Sequence, residues 1–281
     1  MPPLTRPRRG ETTRKPRRAW LSALVAVALG GGGCATRGPN HVYATTADRA
    51  AVQDLGPAGT PIRDALKPGE QAVGLAYDFN TDHLFVRVVP AQVIRVIERP
   101  SGKILREMPL ALPDNLPKDK VVGTNTGPAE AGNGAPSADL AIRSSDRHLF
   151  AVHPDGRSVV ELTLHGEFVR RVEVQGIAGR IAGLAYDQRG NRLLALCAAA
   201  GRAQVGALAP EGNVTHCITL GAAVAPVSLG YDSDARRYFV PLADGHALGE
   251  FDATGRLVAT HPADGVITAV DAGPRSFLRV F

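Results

Sequence analysis

Four aspartates recur at one place in this chain: Asp78, Asp187, Asp232 and Asp271 each follow a short apolar run. Repeated carboxylates can do two kinds of chemistry. Converging in space, they would hold a hard cation through oxygen ligands or supply a catalytic base. Acting locally, each would accept hydrogen bonds from the backbone two residues on and stabilise its own turn. The local role is expected here, because a residue that returns once per repeat normally belongs to the repeat's own turn. Arg143 also interrupts the series at the matching position. The eight histidines, His41, His83, His148, His153, His165, His216, His246 and His261, are scattered. No His-Glu-x-x-His helix, Gly-x-Ser-x-Gly elbow, phosphate loop or zinc spacing occurs. His83 and His148 share a repeat position that Arg192 and Arg237 fill elsewhere, which points to a surface site beside a turn rather than a ligand. No catalytic residue and no metal ligand is assigned, and no cofactor is expected.

The elements that must position these residues follow from a long-period repeat. Val73-Gly-Leu-Ala-Tyr-Asp78, Ala138-Asp-Leu-Ala-Ile-Arg143, Ile181-Ala-Gly-Leu-Ala-Tyr-Asp187 and Val227-Ser-Leu-Gly-Tyr-Asp232 are copies of one another. Each precedes a polar turn and a second apolar run. Val266-Ile-Thr-Ala-Val-Asp271 is a truncated fifth copy, with Ser276 to Val280 as its second run. The matching residues Tyr77, Ile142, Tyr186 and Tyr231 lie 65, 44 and 45 residues apart. Two more strand-like runs, joined by Gly- or Asp-rich turns, follow each hairpin. Four strands in ~40–45 residues is the unit of a β-propeller blade. The inner runs are nearly continuous in apolar residues, as strands buried on both faces should be. A two-sheet sandwich would also give frequent turns, but it offers no reason for the long period.

The expected fold class is therefore all-β, a propeller of about five four-stranded blades over residues 41–281. His41 to Thr46, Ala50 to Leu55 and Pro61 to Leu66 look like the later strands of a blade lacking its first, which the C-terminus would supply. The N- and C-terminal strands would then share one blade and close the ring. Six blades is the alternative, if both fragments were separate blades. The first repeat is longer by an insertion at 111–136, rich in Pro, Gly, Asn and Ala, which is expected to be a loop. Cys197 and Cys217 fall on the second and fourth strands of one blade, ~9–10 Å apart. That exceeds the ~7 Å limit for bridging, so buried free thiols are expected.

The Gly-Leu-Ala-Tyr-Asp, polar turn, Arg-Leu-Phe-Val-like pattern resembles the NHL, lactonase-like and quinoprotein-like propeller superfamilies. The resemblance covers roughly Val42 to Phe281. Metal-dependent lactonases of this kind use Glu, Asn and Asp side chains at the central channel, but no such set can be placed here residue by residue. The Trp-Asp signature of WD-repeat blades is missing, since Trp20 is the sole tryptophan.

Residues 1–33 have the form of an export signal: seven basic residues, then the apolar run Ala19 to Leu29, then Gly30 to Gly33. The run is too short to span a bilayer, which needs ~20 residues. Arg17-Arg18-Ala-Trp-Leu21 resembles a twin-arginine motif, with an ordinary Sec signal as the alternative. Cys34 after small residues resembles the lipobox of bacterial lipoproteins, although Gly31 stands where that family usually has Leu. The resemblance implies lipidation at Cys34, with residues 34–40 as a tether. Ala35 stands where an Asp would retain such a protein at the inner membrane, so the periplasmic side of the outer membrane is expected. The soluble periplasm and the inner membrane are the alternatives. The chain has 32 basic and 27 acidic residues, and removing seven basic and one acidic leaves 25 against 26. The basic balance thus belongs to the leader, and no nucleic-acid partner is expected. These features together suggest a non-enzymatic binding or scaffold protein of the cell envelope, with membrane attachment through lipid and an envelope protein as partner. The alternative is a metal-dependent lactonase- or esterase-like hydrolase.

Overall fold

A computed structural model describes residues 40–56, 59–110, 112, 121–122, 138–177, 179–199 and 202–274. The leader, Cys34, the tether up to residue 39 and the run 276–280 lie outside these residues.

Among the described residues twenty short strands form five sheets. The first blade is composite. It holds β1 (Asn40–Thr46), β2 (Val52–Asp54) and the last strand of the chain, β20 (Ile267–Pro274). A bridge from Val52 to Ile62 adds a short outer edge. The second blade is β3 (Gln71–Asp78), β4 (His83–Val89), β5 (Val93–Glu98) and β6 (Lys103–Pro109). The third carries β7 (Val121–Val122), β8 (Leu140–Arg143), β9 (His148–Val152), β10 (Ser158–Thr163) and β11 (Phe168–Glu173). In the fourth are β12 (Arg180–Asp187), β13 (Arg192–Ala199), β14 (Arg202–Leu208) and β15 (Val214–Thr219). The fifth has β16 (Gly230–Asp232), β17 (Arg237–Pro241), β18 (Ala247–Phe251) and β19 (Leu257–Pro262). The inner strands meet in cyclic order, β20 to β3, β8, β12, β16 and back to β20. The protein is a five-bladed β-propeller, closed as the sequence suggested.

Strand periodicity explains where the core sits. Successive side chains point to opposite faces of a sheet. Leu75 and Tyr77 on β3 pack toward the composite blade, while Ala76 between them packs toward the third blade. Leu140 and Ile142 on β8 face the second blade, and Ala141 faces the fourth. Leu184 and Tyr186 on β12 repeat the arrangement, with Ala185 opposite. Among the described residues the apolar core is therefore five clusters, one astride each blade junction. A large residue always faces one neighbour and a small one the other, which lets wedge-shaped sheets pack around an axis.

One expectation is corrected here. The insertion 111–136 is not only loop, because Val121–Val122 forms β7 and pairs in parallel with Arg171 and Val172 of β11. A fifth strand thereby covers the outer edge of the third blade, an edge that would otherwise offer unpaired amides.

Ring closure rests on β1 and β20. They pair antiparallel from Asn40 with Pro274 to Thr46 with Ile267, with one irregularity between Thr45 and Thr46. Ile267, Ala269 and Val270 are buried, and burial of one such Ile or Val side chain stabilises by about 1.5–3 kcal/mol. Removing residues 266–281 should therefore open the ring, expose β1 and β16, and give an aggregating or unfolded chain by light scattering and circular dichroism. A soluble monomer with an unchanged melting temperature would contradict this closure.

Candidate functional site

The turn aspartates act locally. Asp78 accepts hydrogen bonds from the Asn80 amide at 3.1 Å and the Thr81 hydroxyl at 2.7 Å. Asp187 accepts from the Gly190 amide, and Asp232 from the amides of Asp234 and Ala235. Each hairpin closes with a residue of positive φ, at Asp82, Arg147, Asn191 and Arg236, whose φ values are 58°, 63°, 49° and 55°. These carboxylates hold turns and do not converge.

Asp271 is different, which corrects its assignment to that series. It lies in the middle of β20, opposite Tyr43 of β1. Its Oδ2 accepts from the Tyr77 amide at 2.6 Å, and its Oδ1 from the Ala272 amide at 2.8 Å. It stands on the wall of a small pocket that opens where the inner strands end. All five blades contribute: Tyr77 and Phe79, Ile142, Tyr186 and Gln188, Tyr231 and Ser233, then Asp271 to Gly273. Burial pushes the Asp271 carboxyl up to about 7, against the opposing pull of the two amides. Where the inner strands begin, a second acid is enclosed. Asp139 Oδ2 accepts from the amides of Leu184 and Leu229, at 2.9 and 3.0 Å, and from the Ser228 hydroxyl at 3.0 Å. Burial raises this carboxyl well above its ordinary range, and the amides of Leu184 and Leu229 offset only part of that.

Close approach of the inner strands makes these contacts possible. A Cβ at Gly183 would lie 2.7 Å from the Leu229 nitrogen, and one at Gly74 would collide with the Ala138 carbonyl. The repeat glycine is thus a packing requirement at the axis. Asp139 and Ser228 occupy the repeat position that Gly74 and Gly183 hold in other blades. That polar-for-glycine exchange was the available signal for the channel acid, and sequence reasoning passed over it.

His148 makes a 2.6 Å contact through Nδ1 with Glu161 on β10, and Arg237 reaches Glu250 on β18 at 3.3 Å. In these two blades the shared repeat position therefore pairs with a carboxylate on the adjacent strand, close to the expected turn-side role. His41 is buried instead, with Nδ1 2.6 Å from Asp54. Among the described residues no three His, Cys, Asp or Glu side chains come together as a metal site would need. Cys197 and Cys217 are free, as expected, but only Cys197 is buried; Cys217 is exposed on β15. Its position on the outer strand of the blade explains the difference, and burial pushes the Cys197 thiol up to about 12. The proposed lipid-bearing Cys34 lies outside the described residues.

The two channel acids give stability a definite pH dependence. A carboxyl whose folded pKa is raised stays protonated in the fold while it ionises in the unfolded chain. Its stabilisation is present below the unfolded value and is lost as pH rises through the folded value, from about 4 to about 7 for Asp271. Glu70, Glu107, Asp155 and Glu161 are shifted the other way and act only at lower pH. The melting temperature should therefore fall between about pH 5.5 and about pH 8, by the equivalent of a few kcal/mol. Asp271→Asn should flatten the slope, leaving the part due to Asp139. A curve that is level or rising over that interval in the native chain would contradict the burial of these acids.

No protein-family model matches the sequence, and no curated protein matches it either. Solved structures do match the fold. A chain of a nidogen/laminin complex aligns with a TM-score of 0.52 and 10% identity, covering 83% of this chain and 98% of that one. A protein of unknown function from Bacteroides caccae aligns with a TM-score of 0.50 and 12% identity, covering 83% and 98%. At these identities the likeness is one of fold, and it places this chain among the β-propellers.

Proposed function

We propose that this protein is an exported, lipid-anchored propeller that serves as a non-enzymatic binding scaffold in the bacterial cell envelope. The observation that carries the reading is the use made of the acids at the axis. Asp139 and Asp271, which a channel enzyme would direct at a ligand, accept backbone amides of neighbouring blades. The turn aspartates are likewise engaged by their own hairpins. What remains available for recognition is the set of connections on two rigid faces, together with the insertion at 111–136. Loops on a rigid scaffold commonly carry binding. The leader and the small residues before Cys34 support export and acylation. Stable anchoring takes more than one lipid chain, and lipoproteins of the kind Cys34 resembles carry three.

A channel hydrolase is the second reading, and Asp271 favours it. A carboxyl held near 7 on a pocket wall is suited to proton transfer at neutral pH. The metal-dependent form of that reading needs several converging ligands, and the described residues do not group in that way.

Two measurements separate the readings. In a Gram-negative host, the native chain should sediment with the outer membrane, and Cys34→Ser should move it to the soluble periplasm. Unchanged fractionation of the variant would remove the lipid anchor from the proposal. Elemental analysis of the purified protein should find no stoichiometric metal, and a chelator should leave the thermal melt unshifted. A stoichiometric calcium or magnesium whose removal lowers the melting temperature would decide for the hydrolase.

A further inference from the structure

A second pocket lies at the junction of the third and fourth blades. Three arginines line it: Arg143 at the end of β8, Arg170 on β11 and Arg192 at the start of β13. Phe150, Leu193 and Leu208 supply its apolar wall.

Two of the arginines share one buried acid. Glu161 on β10 accepts from Arg143 Nη2 and from Arg170 Nε, each at 2.6 Å, and contacts His148 Nδ1 at the same distance. Burial alone would raise the Glu161 carboxyl, but the bonds from Arg170 and His148 hold it below its ordinary range, so it stays charged. Arg143 also lies over the rings of Phe150 and Tyr186, at 5.1 and 5.9 Å from their centroids. Arg192 spends one nitrogen, Nε, on Asp187 at 3.1 Å. Arg170 uses Nε for Glu161 and Nη1 for the Pro210 carbonyl. A guanidinium has five N–H donors, so Arg170 Nη2 and both terminal nitrogens of Arg192 make no hydrogen bond to a described residue. Asn191 adds another donor. The Tyr186 hydroxyl donates to its Oδ1 at 2.9 Å, which orients the amide and leaves Nδ2 to donate.

The repeat itself marks this pocket. Three other blades have a turn aspartate where the third blade has Arg143. That exchange costs the turn its Asp side-chain acceptor and places a cation at the junction. The other acids on these arginines, Asp146 and Asp187, hold Arg143 and Arg192 from the turn side.

We propose that this pocket binds a small organic anion, a carboxylate carried on an apolar body. The carboxylate meets the terminal nitrogens of Arg192 and Arg170, which suit its planar, two-oxygen geometry. The apolar body lies against Phe150, Leu193 and Leu208. This inference stands apart from the scaffold reading, since it concerns a different pocket and a small ligand rather than a protein partner.

The test uses the full chain, with phenylbutyrate as probe and its neutral amide and acetate as controls. Binding is followed by titration calorimetry and by amide NMR shifts. Phenylbutyrate should bind with a Kd of roughly a millimolar or tighter, as its size allows, and shift amides at Asn191 to Leu193 and Leu208 to Pro210. The neutral amide and acetate should each bind about ten-fold more weakly, because each lacks one half of the recognition. Arg192→Ala should weaken phenylbutyrate by a similar factor. Ala209→Trp, which fills the pocket from its rim, should abolish the shifts, and unchanged melting curves would show that both variants fold. Equal affinity for the acid and its amide would overturn the proposal. So would shifts confined to the channel mouth around Asp271, unaltered binding in both variants, or no binding by the native chain.

Discussion

The innermost strand of every blade has one edge with no partner strand, and in a closed ring that edge faces the axis. Its amides sit where water has little access, so the ring holds only if something accepts from them. Here a few side chains do so. Asp139 takes the amides of Leu184 and Leu229 and the hydroxyl of Ser228 on one oxygen. Ser228 in turn accepts from the Val270 amide at 2.9 Å, and Asp271 accepts from Tyr77. These bonds run from the third blade to the fourth, to the fifth and to the composite blade, and from the composite blade to the second. A buried amide left without an acceptor costs about 1–3 kcal/mol. One carboxyl group that satisfies three donors on a single oxygen spares the ring that cost. The same argument explains Gly74 and Gly183, whose bare backbones let the neighbouring inner strands come near enough for such short side chains to reach.

The rest of the fold is arranged around that constraint. No blade owns a core, since each apolar cluster is built from two adjacent sheets. A blade removed from the ring would expose both faces. Stability therefore passes from junction to junction, and the junction between the fifth and composite blades matters as much as any other. Phe239 and Leu248 from one side meet Ile267, Val270 and Ala44 from the other. Ala44 comes from the far end of the chain, so this junction forms only when both termini are in place. Non-local pairing of this kind is slow to form, because the loop-closure entropy comes before the contacts that offset it.

Most of this architecture was legible in the sequence, and for a physical reason. A strand buried on both faces has to be apolar throughout, and a tight turn has to carry Asp, Asn or Gly. Those requirements recur once per blade, so Gly-Leu-Ala-Tyr-Asp announces the fold before any contact is known. The incomplete ends at His41 and Asp271 likewise announced the shared blade. What was hidden depended on distance across the ring. Asp139 looked like one more repeat residue, and only the geometry shows its carboxylate reaching Leu229, two blades away. Asp271 matched the turn motif by spelling, yet it lies within β20, whose partner β1 comes from the other terminus. The strand at Val121–Val122 is two residues long, too short for periodicity to register against a Pro- and Gly-rich background.

Where the sequence departs from its own repeat, the structure finds residues with a separate task. A repeat position that only builds blades has no reason to vary in chemical type, because every blade poses the same packing problem. Aspartate in place of glycine at 139 ties the inner edges together. Arginine in place of aspartate at 143 gives up a turn acceptor and gains a place over Phe150 and Tyr186, beside a buried glutamate. The first exchange has a structural use that accounts for it in full. The second does not: Glu161 already has Arg170 and His148, and the turn after β8 would be served better by the aspartate that three sister blades retain. That departure from the repeat singles out the junction of the third and fourth blades, rather than the axis, as the place where the chain gives up a turn acceptor to hold a cation.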